Sequence, residues 1–177
     1  MRRKNITSEM MKEYITQSLL ILLENDEYIN ISIGAITEKA GVNRSTYYRN
    51  FESKDSIIRF YYEGIMENYL NENSSREGSM QEYLSGMFHA FLSNKDDLLL
   101  LHRKGLSHLM LDTLNSFFAS NTTEASISEQ FELYYHTGGI FNSMLLWFEE
   151  GMITTPSDLA KISISFLPDS FTPFLLR

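Results

Sequence analysis

The chain has 177 residues, a formal net charge of −8 and no cysteine. This length accommodates two compact units, a small one and a larger one with its own core, and no more. Without cysteine, neither a disulfide framework nor a thiolate metal site can form. The basic start at Arg2 and Arg3 continues into polar residues, so we expect no signal peptide and no membrane span. The sequence therefore predicts a cytoplasmic protein.

Negative charge is concentrated in the second part of the chain. Residues 1–60 contain 9 Lys and Arg against 8 Asp and Glu, whereas residues 61–177 contain 6 against 15. Lys39, Arg44, Arg49 and Lys54 all fall within the first part. A local excess of basic side chains is sufficient to attract DNA phosphates, so the net charge does not exclude a nucleic-acid partner.

The segment before residue 25 has the periodicity of one amphipathic helix. Apolar and small residues recur at intervals of three and four from about Thr7 to Glu24, as on one face of a helix. The inward residues of this helix are expected to be Met11, Tyr14, Ile15, Ser18, Leu19, Leu22 and Leu23. This helix would support the segment that follows.

Residues 31–51 have the pattern of two short helices joined by a tight turn. Ser32 and Asn43 are suited to cap the two helices, and Gly41 supplies the backbone freedom that the turn requires. The inward residues would be Ile33, Ile36, Ala40, Val42, Tyr47 and Phe51, and the outward ones Arg44, Ser45, Thr46, Tyr48 and Arg49. This division fits a helix-turn-helix with its second helix in the major groove of DNA.

The segment resembles the DNA-binding domain of TetR-family transcriptional regulators. The matching positions are Ala40-Gly41-Val42, Thr46, Tyr48, Phe51 and Lys54. The resemblance implies an all-α fold of about nine helices. It implies a three-helix helix-turn-helix DNA-binding domain in residues 1–52 and a helical ligand-binding and dimerisation domain in residues 53–177. Gly34, Thr37 and Asn50 depart from the usual pattern, and Gly34 is expected to remove one side-chain contact with DNA.

Three groups of residues are expected to contact a double-stranded DNA operator. Ser32, Asn43 and Ser53 stand at helix starts, where free N–H groups favour phosphate. The resemblance implies phosphate contacts for Tyr48, Asn50 and Lys54, and base contacts for Arg44, Ser45 and Thr46. Arg44 and Arg49 can donate to guanine O6 and N7. The alternatives are that Tyr48 packs on the first helix and that both arginines are simply solvated.

Helix-start signals predict the elements of the second part. Ser53 can cap a fourth helix that ends near Tyr69 or Leu70, and the polar residues 71–78 predict a loop. Ser79 to Glu82 and Ser126 to Glu129 are capping boxes, and Thr155-Pro156 starts a last helix that ends near Phe166. Gly138-Gly139 interrupts the pattern of the long helix from Ser126 to Glu150, and close packing against another helix is the expected compensation.

A weaker resemblance lies near the C-terminus. Trp147 to Met152, with Thr155-Pro156 and Leu159-Ala160, is similar to a small, Firmicutes-type C-terminal domain of the same family. This resemblance implies a homodimer in which the last two long helices pair with those of a second copy. The small or apolar residues available for this interface are Gly138, Gly139, Met144, Leu145, Phe148, Leu159, Ile162 and Phe166.

Other functions find little support in the sequence. The four histidines have no metal-ligand spacing, so neither a metal site nor a cofactor is expected. We found no phosphate-binding loop, nucleophile elbow or metalloprotease motif, which argues against an enzyme. The aromatic and methionine residues after residue 60 predict a core with room for a small apolar pocket, whose lining residues and ligand the sequence does not identify.

The sequence thus predicts a dimeric regulator, a repressor that binds a palindromic operator and is released by a small-molecule effector. Two alternatives stay open at this point. The chain could be an activator or co-regulator whose C-terminal domain binds a partner protein. It could also be a helical interaction protein that has lost operator binding, as the departures at Gly34 and Asn50 would suggest.

Overall fold

The computed structural model describes residues 2–73, 79–120 and 126–167, with side chains for 8–71, 79–116 and 126–167. Within these ranges the chain forms nine α-helices and no strand, which confirms the predicted all-α class. The helices are α1 (Arg2–Leu23), α2 (Ile33–Lys39), α3 (Arg44–Asn50), α4 (Lys54–Asn73), α5 (Met80–Leu92), α6 (Lys95–Arg103), α7 (His108–Ser120), α8 (Ile127–Glu149) and α9 (Pro156–Ser165). A 3-10 turn, Tyr28–Asn30, lies between α1 and α2.

Helix α1 supports both helices of the helix-turn-helix and also packs on α4. Ile15, Leu19 and Leu23 on its inner face are fully buried, as the periodicity predicts. Tyr14 was expected on this face but is 49% exposed, so the buried stripe is narrower than predicted. The helix also begins at Arg2 instead of at Thr7.

Caps at four helix starts follow the predictions closely. The N–H of Ser56 donates to Ser53 Oγ at 3.1 Å at the start of α4. Ser79 and Ser126 form complete capping boxes with Glu82 and Glu129 at the starts of α5 and α8. At α9, the N–H of Asp158 donates to Thr155 Oγ1 at 3.2 Å, and Pro156 occupies the first helical position. Each such cap stabilises its helix by about 1 kcal/mol.

Two expectations about helix ends and breaks were wrong. Residues 71–73 belong to α4 instead of to a loop, while residues 74–78 of the predicted loop lie outside the described part. Helix α8 runs through Gly138 and Gly139 without a break. A Cβ atom added at either glycine would meet no atom within 4 Å, so no helix of the described chain provides the expected close packing.

Helix α4 connects the helix-turn-helix with the rest of the chain. It packs on α1 and also on α5 and α7. Beyond it, α9 lies along α5, while α8 contacts α6 and α7. One continuous cluster of buried residues extends from Ile15 in α1 to Ala160 in α9. None of the described helices combines the length and apolar character needed to cross a membrane.

Candidate nucleic-acid interface

The helix-turn-helix has the local geometry that its residues predict. Ser32 caps α2 by accepting a hydrogen bond from the N–H of Ala35 at 3.1 Å. Gly41 has a φ of 66°, a left-handed conformation that costs a glycine little. The N–H of Val42 then donates to the carbonyl of Thr37 at 3.0 Å and closes the turn. The turn thereby brings α3 against α2 and α1.

Asn43 organises the start of α3 through one oxygen atom. Its Oδ1 accepts hydrogen bonds from the N–H of Thr46 at 2.8 Å, from Ser45 Oγ at 2.6 Å and from Thr46 Oγ1 at 2.9 Å. Because both hydroxyl groups donate to Asn43, only their lone pairs can accept further hydrogen bonds, and Arg49 Nη2 already donates to Thr46 Oγ1. Ser45 is exposed and Thr46 half-buried. Asn43 therefore positions two of the three residues predicted to face base edges.

The two sides of α3 differ sharply in burial. Tyr47 is 0% exposed and Phe51 is 5% exposed, so both pack inward as predicted. Tyr48 is 61% exposed and meets the Tyr47 ring edge-on at 5.2 Å between centroids. This exposure is incompatible with the alternative that Tyr48 packs into the protein against α1. Burial raises the pKa of Tyr47, so its hydroxyl stays neutral at physiological pH.

The two arginines of α3 lie differently. Arg49 forms hydrogen bonds within α3: its Nε donates to the carbonyl of Ser45 at 3.2 Å, and its Nη2 donates to Thr46 Oγ1 at 3.2 Å. Arg44 instead extends towards α2, and no hydrogen bond joins its guanidinium to a described residue. Both side chains are exposed. They place positive charge at the two ends of one short helix.

Asn50 links α3 to α1. Its Nδ2 donates to the carbonyl of Thr46 at 2.7 Å, and its Oδ1 accepts a hydrogen bond from Ser8 Oγ at 2.7 Å. The pattern of residues gave no sign of this link, because Ser8 lies 42 positions earlier in the chain. Asn50 keeps one N–H with no assigned partner among these bonds, so a phosphate contact would add to the structural role.

Lys54 lies at the junction of α4 with the 3-10 turn. Its Nζ donates to the carbonyls of Tyr28 at 2.6 Å and Ile31 at 2.7 Å, and lies 4.4 Å from the centroid of the Tyr28 ring. Burial lowers the pKa of Lys54, and the charge of Asp55 opposes this shift. These contacts explain a cation in the first turn of α4 without a phosphate. An ammonium group has three donors, so one remains for DNA.

Tyr28 and Asp55 complete this junction. The hydroxyl of Tyr28 donates a short hydrogen bond to Asp55 Oδ1. Burial and this bond raise the pKa of Tyr28 well above the usual range. The bond and the contacts of Lys54 together fix the 3-10 turn to the start of α4. The segment that leads into α2 is therefore held by side chains of α4.

The residues predicted for the dimer interface fall into two sets. Met144, Phe148 and Leu159 are between 0% and 6% exposed and fill the core of their own chain. Burial removes these three from the surface that a second copy could contact. Ile162 and Phe166 are 48% and 73% exposed, Leu145 and Gly138 are half-buried, and Gly139 is exposed.

Other exposed apolar residues of α8 were missing from the predicted interface. Ile127, Phe131, Tyr134, Tyr135 and Leu146 are between 47% and 78% exposed. Helical spacing puts them on the same side of α8 as Gly138 and Gly139. The sequence indicated that some apolar residues of α8 would be exposed, since this helix has apolar residues on both faces. In the described part of the chain, no group of three or more His, Asp and Glu residues could hold a metal ion.

Comparison with known proteins supports the resemblance that the sequence indicates. A TetR transcriptional regulator from Streptococcus agalactiae 2603V has a similar structure, with a TM-score of 0.61 over 93% of this chain and 97% of that chain, at 20% identity. The described helices thus have the fold of a TetR-type regulator, and the predicted fold resemblance is confirmed. No family model matches the sequence.

Two curated proteins are similar in sequence. One is an uncharacterized HTH-type transcriptional regulator, YxbF of Bacillus subtilis, 25% identical over 83% of this chain and 41% of that protein. The other is DhaS of Lactococcus lactis, an HTH-type activator of the dhaKLM operon, 28% identical over 42% of this chain and 43% of that protein. The matched part of the chain spans less than half the length of both relatives.

Proposed function

We propose that this protein is a transcriptional regulator that recognises DNA through the exposed face of α3. The observation that carries the proposal is the arrangement on that helix: Arg44 and Arg49 at its two ends, with Ser45, Thr46 and Tyr48 between them. The inner side is anchored by fully buried Tyr47. A rigid helix with outward donors and acceptors suits base readout in a major groove, and arginine suits guanine.

Phosphate contacts are assigned to residues around this face. Ser32, Asn43, Tyr48, Asn50 and Lys54 are the candidates. Asn50 and Lys54 also hold the fold together, so their contribution to DNA binding comes from the donor that each has left. Ser32 and Asn43 already use their side-chain oxygens as helix caps. They would therefore contact phosphate mainly through the local backbone.

The proposal includes a homodimer and a palindromic operator. Two copies would pair through the exposed side of α8 and the end of α9, including Gly138, Gly139, Ile162 and Phe166. The open space around both glycines would let a partner helix approach closely. In such a dimer, the two α3 helices would enter successive major grooves about 34 to 36 Å apart.

Regulation would pass through α4. This helix contacts α1 of the helix-turn-helix unit as well as α5 and α7. Arg59 of α4 also pairs with Asp112 of α7 at 3.0 Å. An effector that binds better to one tilt of α4 would change the separation of the two α3 helices, and an effector without such a preference would have no effect. We propose repression with release by a small molecule.

Activation is the second candidate for the direction of regulation. DhaS is named as a transcriptional activator, and it is similar to this chain over 80 residues. In an activator, the C-terminal helices would bind a partner protein instead of a small molecule. Both versions require the same DNA-binding face.

The test is a selection of bound genomic DNA fragments by the purified protein at two salt concentrations, with random DNA as competitor. We expect a palindromic site whose affinity falls as salt rises, because binding releases counterions from phosphates. Arg103→Ala is a matched control for Arg49→Ala, since both arginines are exposed and only Arg49 lies on α3. Recovery of fragments without sequence preference would contradict the proposal.

A further inference from the structure

The backbone of Gly34 lies directly beneath the guanidinium group of Arg44. A Cβ atom built on Gly34 would be 2.8 Å from Arg44 Nη2 and 3.8 Å from Arg44 Cζ. The first distance is too short for any real Cβ contact, and the second is an ordinary van der Waals distance. Arg44 therefore occupies the space that the smallest side chain at position 34 would require.

The open space at Gly34 allows Arg44 to extend from α3 towards α2. The residue begins α3, but its guanidinium lies over the first turn of α2, close to Ser32. The Cβ position at Gly34 is 3.5 Å from Ser32 Oγ, which bounds the same space from the other side. Arg49 differs, since hydrogen bonds within α3 orient its guanidinium. For Arg44, no hydrogen bond to a described residue orients the guanidinium, and the bare backbone at position 34 leaves room for it against α2.

We propose that Gly34 is a positioning residue for Arg44 and so helps to determine which base pair the protein prefers. This inference rests on the proposed function. The bare backbone at position 34 lets the guanidinium lie against α2, with its five donors free to meet DNA. A side chain at position 34 would displace the guanidinium and move these donors. The lack of a side chain at position 34 therefore affects recognition through the position of Arg44.

The variant Gly34→Ala tests the positioning of Arg44 without disturbing the fold. Gly34 is a helical residue whose φ lies outside the left-handed region, so alanine suits its backbone. The group it would displace is the far end of a flexible, exposed side chain. We expect Gly34→Ala to fold and to melt no earlier than the parent, because alanine favours a helix more than glycine does.

Gly64→Ala is the matched control. Gly64 also lies within a helix, and a Cβ atom there would meet nothing within 4 Å. Both substitutions add one methyl group to a helical glycine, but only that at position 34 displaces Arg44. A general effect of alanine on helix stability would appear in both variants.

The experiment is a double-mutant cycle in which DNA affinity is measured. The DNA is the site recovered in the genomic selection, together with variants of that site altered at one base pair each. The proteins compared are the parent, Gly34→Ala, Arg44→Ala and the double variant, with Gly64→Ala as the control. We expect Gly34→Ala to lose affinity about 5- to 150-fold, the range of one specific base contact, with changed preference at the base pair read by Arg44. In the Arg44→Ala background, we expect Gly34→Ala to change affinity less than about twofold.

Two results would overturn the inference. One is Gly34→Ala binding the parent's site with unchanged affinity and preference. The other is an equal loss with and without Arg44, which would mean that the methyl group obstructs DNA directly. The Nε–H resonance of Arg44 reports the contact without DNA, and it should shift in Gly34→Ala but not in Gly64→Ala. If the parent shows no sequence preference, the proposed function fails, and the recognition role of Gly34 fails with it. If only the Arg44 resonance stays unshifted in Gly34→Ala, the contact between Gly34 and Arg44 is rejected while the proposed function stands.

Discussion

Lys54 has a structural role beside the phosphate contact that we propose for it. Its ammonium group donates to the carbonyls of Tyr28 and Ile31, which hold the chain just before α2. Charged hydrogen bonds of this kind contribute more to stability than neutral ones, and a part-buried carbonyl that loses its donor is costly. A substitution at Lys54 therefore acts on folding as well as on any phosphate contact.

We predict that Lys54→Met lowers the free energy of unfolding by about 1 to 3 kcal/mol, as expected for the loss of charged hydrogen bonds. Chemical denaturation measures this change. Lys39→Met is the control, since Lys39 is exposed and lies at the end of α2. Equal stability of Lys54→Met and the parent would contradict the structural role.

Tyr62 contributes a buried hydroxyl group. The residue is 1% exposed, and its hydroxyl has no hydrogen-bond partner among the described residues. Removing a polar atom without a partner relieves its desolvation cost. We predict that Tyr62→Phe is as stable as the parent at neutral pH, within about 1 kcal/mol, or more stable. Exposed Tyr135→Phe is the control, and a larger loss in Tyr62→Phe alone would reveal a partner for the hydroxyl.

At the scale of single elements, helix caps are the features most directly encoded in the sequence. Ser126 and Glu129 form a capping box because the residue types and their spacing suffice for it. We predict that Ser126→Ala destabilises the protein by about 0.5 to 2 kcal/mol. Ser128→Ala, at an exposed position in the first turn of the same helix, should change little. Thermal or chemical unfolding distinguishes the two, and equal effects would contradict the capping role.

The outer face of α8 is the element that a second copy is proposed to cover. Gly138 lies in the middle of this face, with open space around its Cβ position. We predict that Gly138→Lys weakens the dimer at least about tenfold, because the symmetry of a dimer brings two such lysines close together. Sedimentation at micromolar protein concentration measures this.

Gly64→Lys provides the matched control for the dimer. Gly64 also has open space around its Cβ position but lies in α4, away from the proposed interface. The dimer dissociation constant of this variant should equal that of the parent. A parent protein that sediments as a monomer, or a Gly138→Lys variant that dimerises as the parent does, would contradict the assignment of the interface to α8.

At the scale of the whole molecule, buried and half-buried tyrosines set the response to alkaline pH. Burial is the largest cause of a raised pKa for Tyr28, Tyr61, Tyr62 and Tyr83, compared with the usual value of 10.0. A group whose pKa is raised by folding stabilises the folded state below its unfolded pKa. We therefore predict that stability holds up to about pH 10 and falls as the pH rises further.

Unfolding monitored at several pH values, together with the absorbance of tyrosinate, checks this prediction. Tyrosinate of Tyr28, Tyr61, Tyr62 and Tyr83 should form cooperatively with unfolding, because burial raises the pKa of each. Stability that stays constant well above pH 10 would contradict the burial of these hydroxyl groups.

The sequence predicted the helices and caps well because these depend on local residue types and spacing. The turn at Gly41 and the inward direction of Tyr47 and Phe51 are examples. It did not reveal contacts between distant residues, such as Ser8 with Asn50 or Lys54 with Tyr28 and Ile31. It also could not divide the apolar residues of α8 between core and surface, since both faces are apolar. Met144 and Phe148 proved to be core, whereas Phe131 and Tyr135 are exposed.

The most direct test of the account is the ratio of affinities for the selected site and for random DNA, measured for the parent, Arg49→Ala and Arg103→Ala. Readout by α3 predicts that Arg49→Ala lowers this ratio about 5- to 150-fold, while Arg103→Ala leaves it unchanged. Equal ratios in all three proteins would contradict recognition through this face of α3.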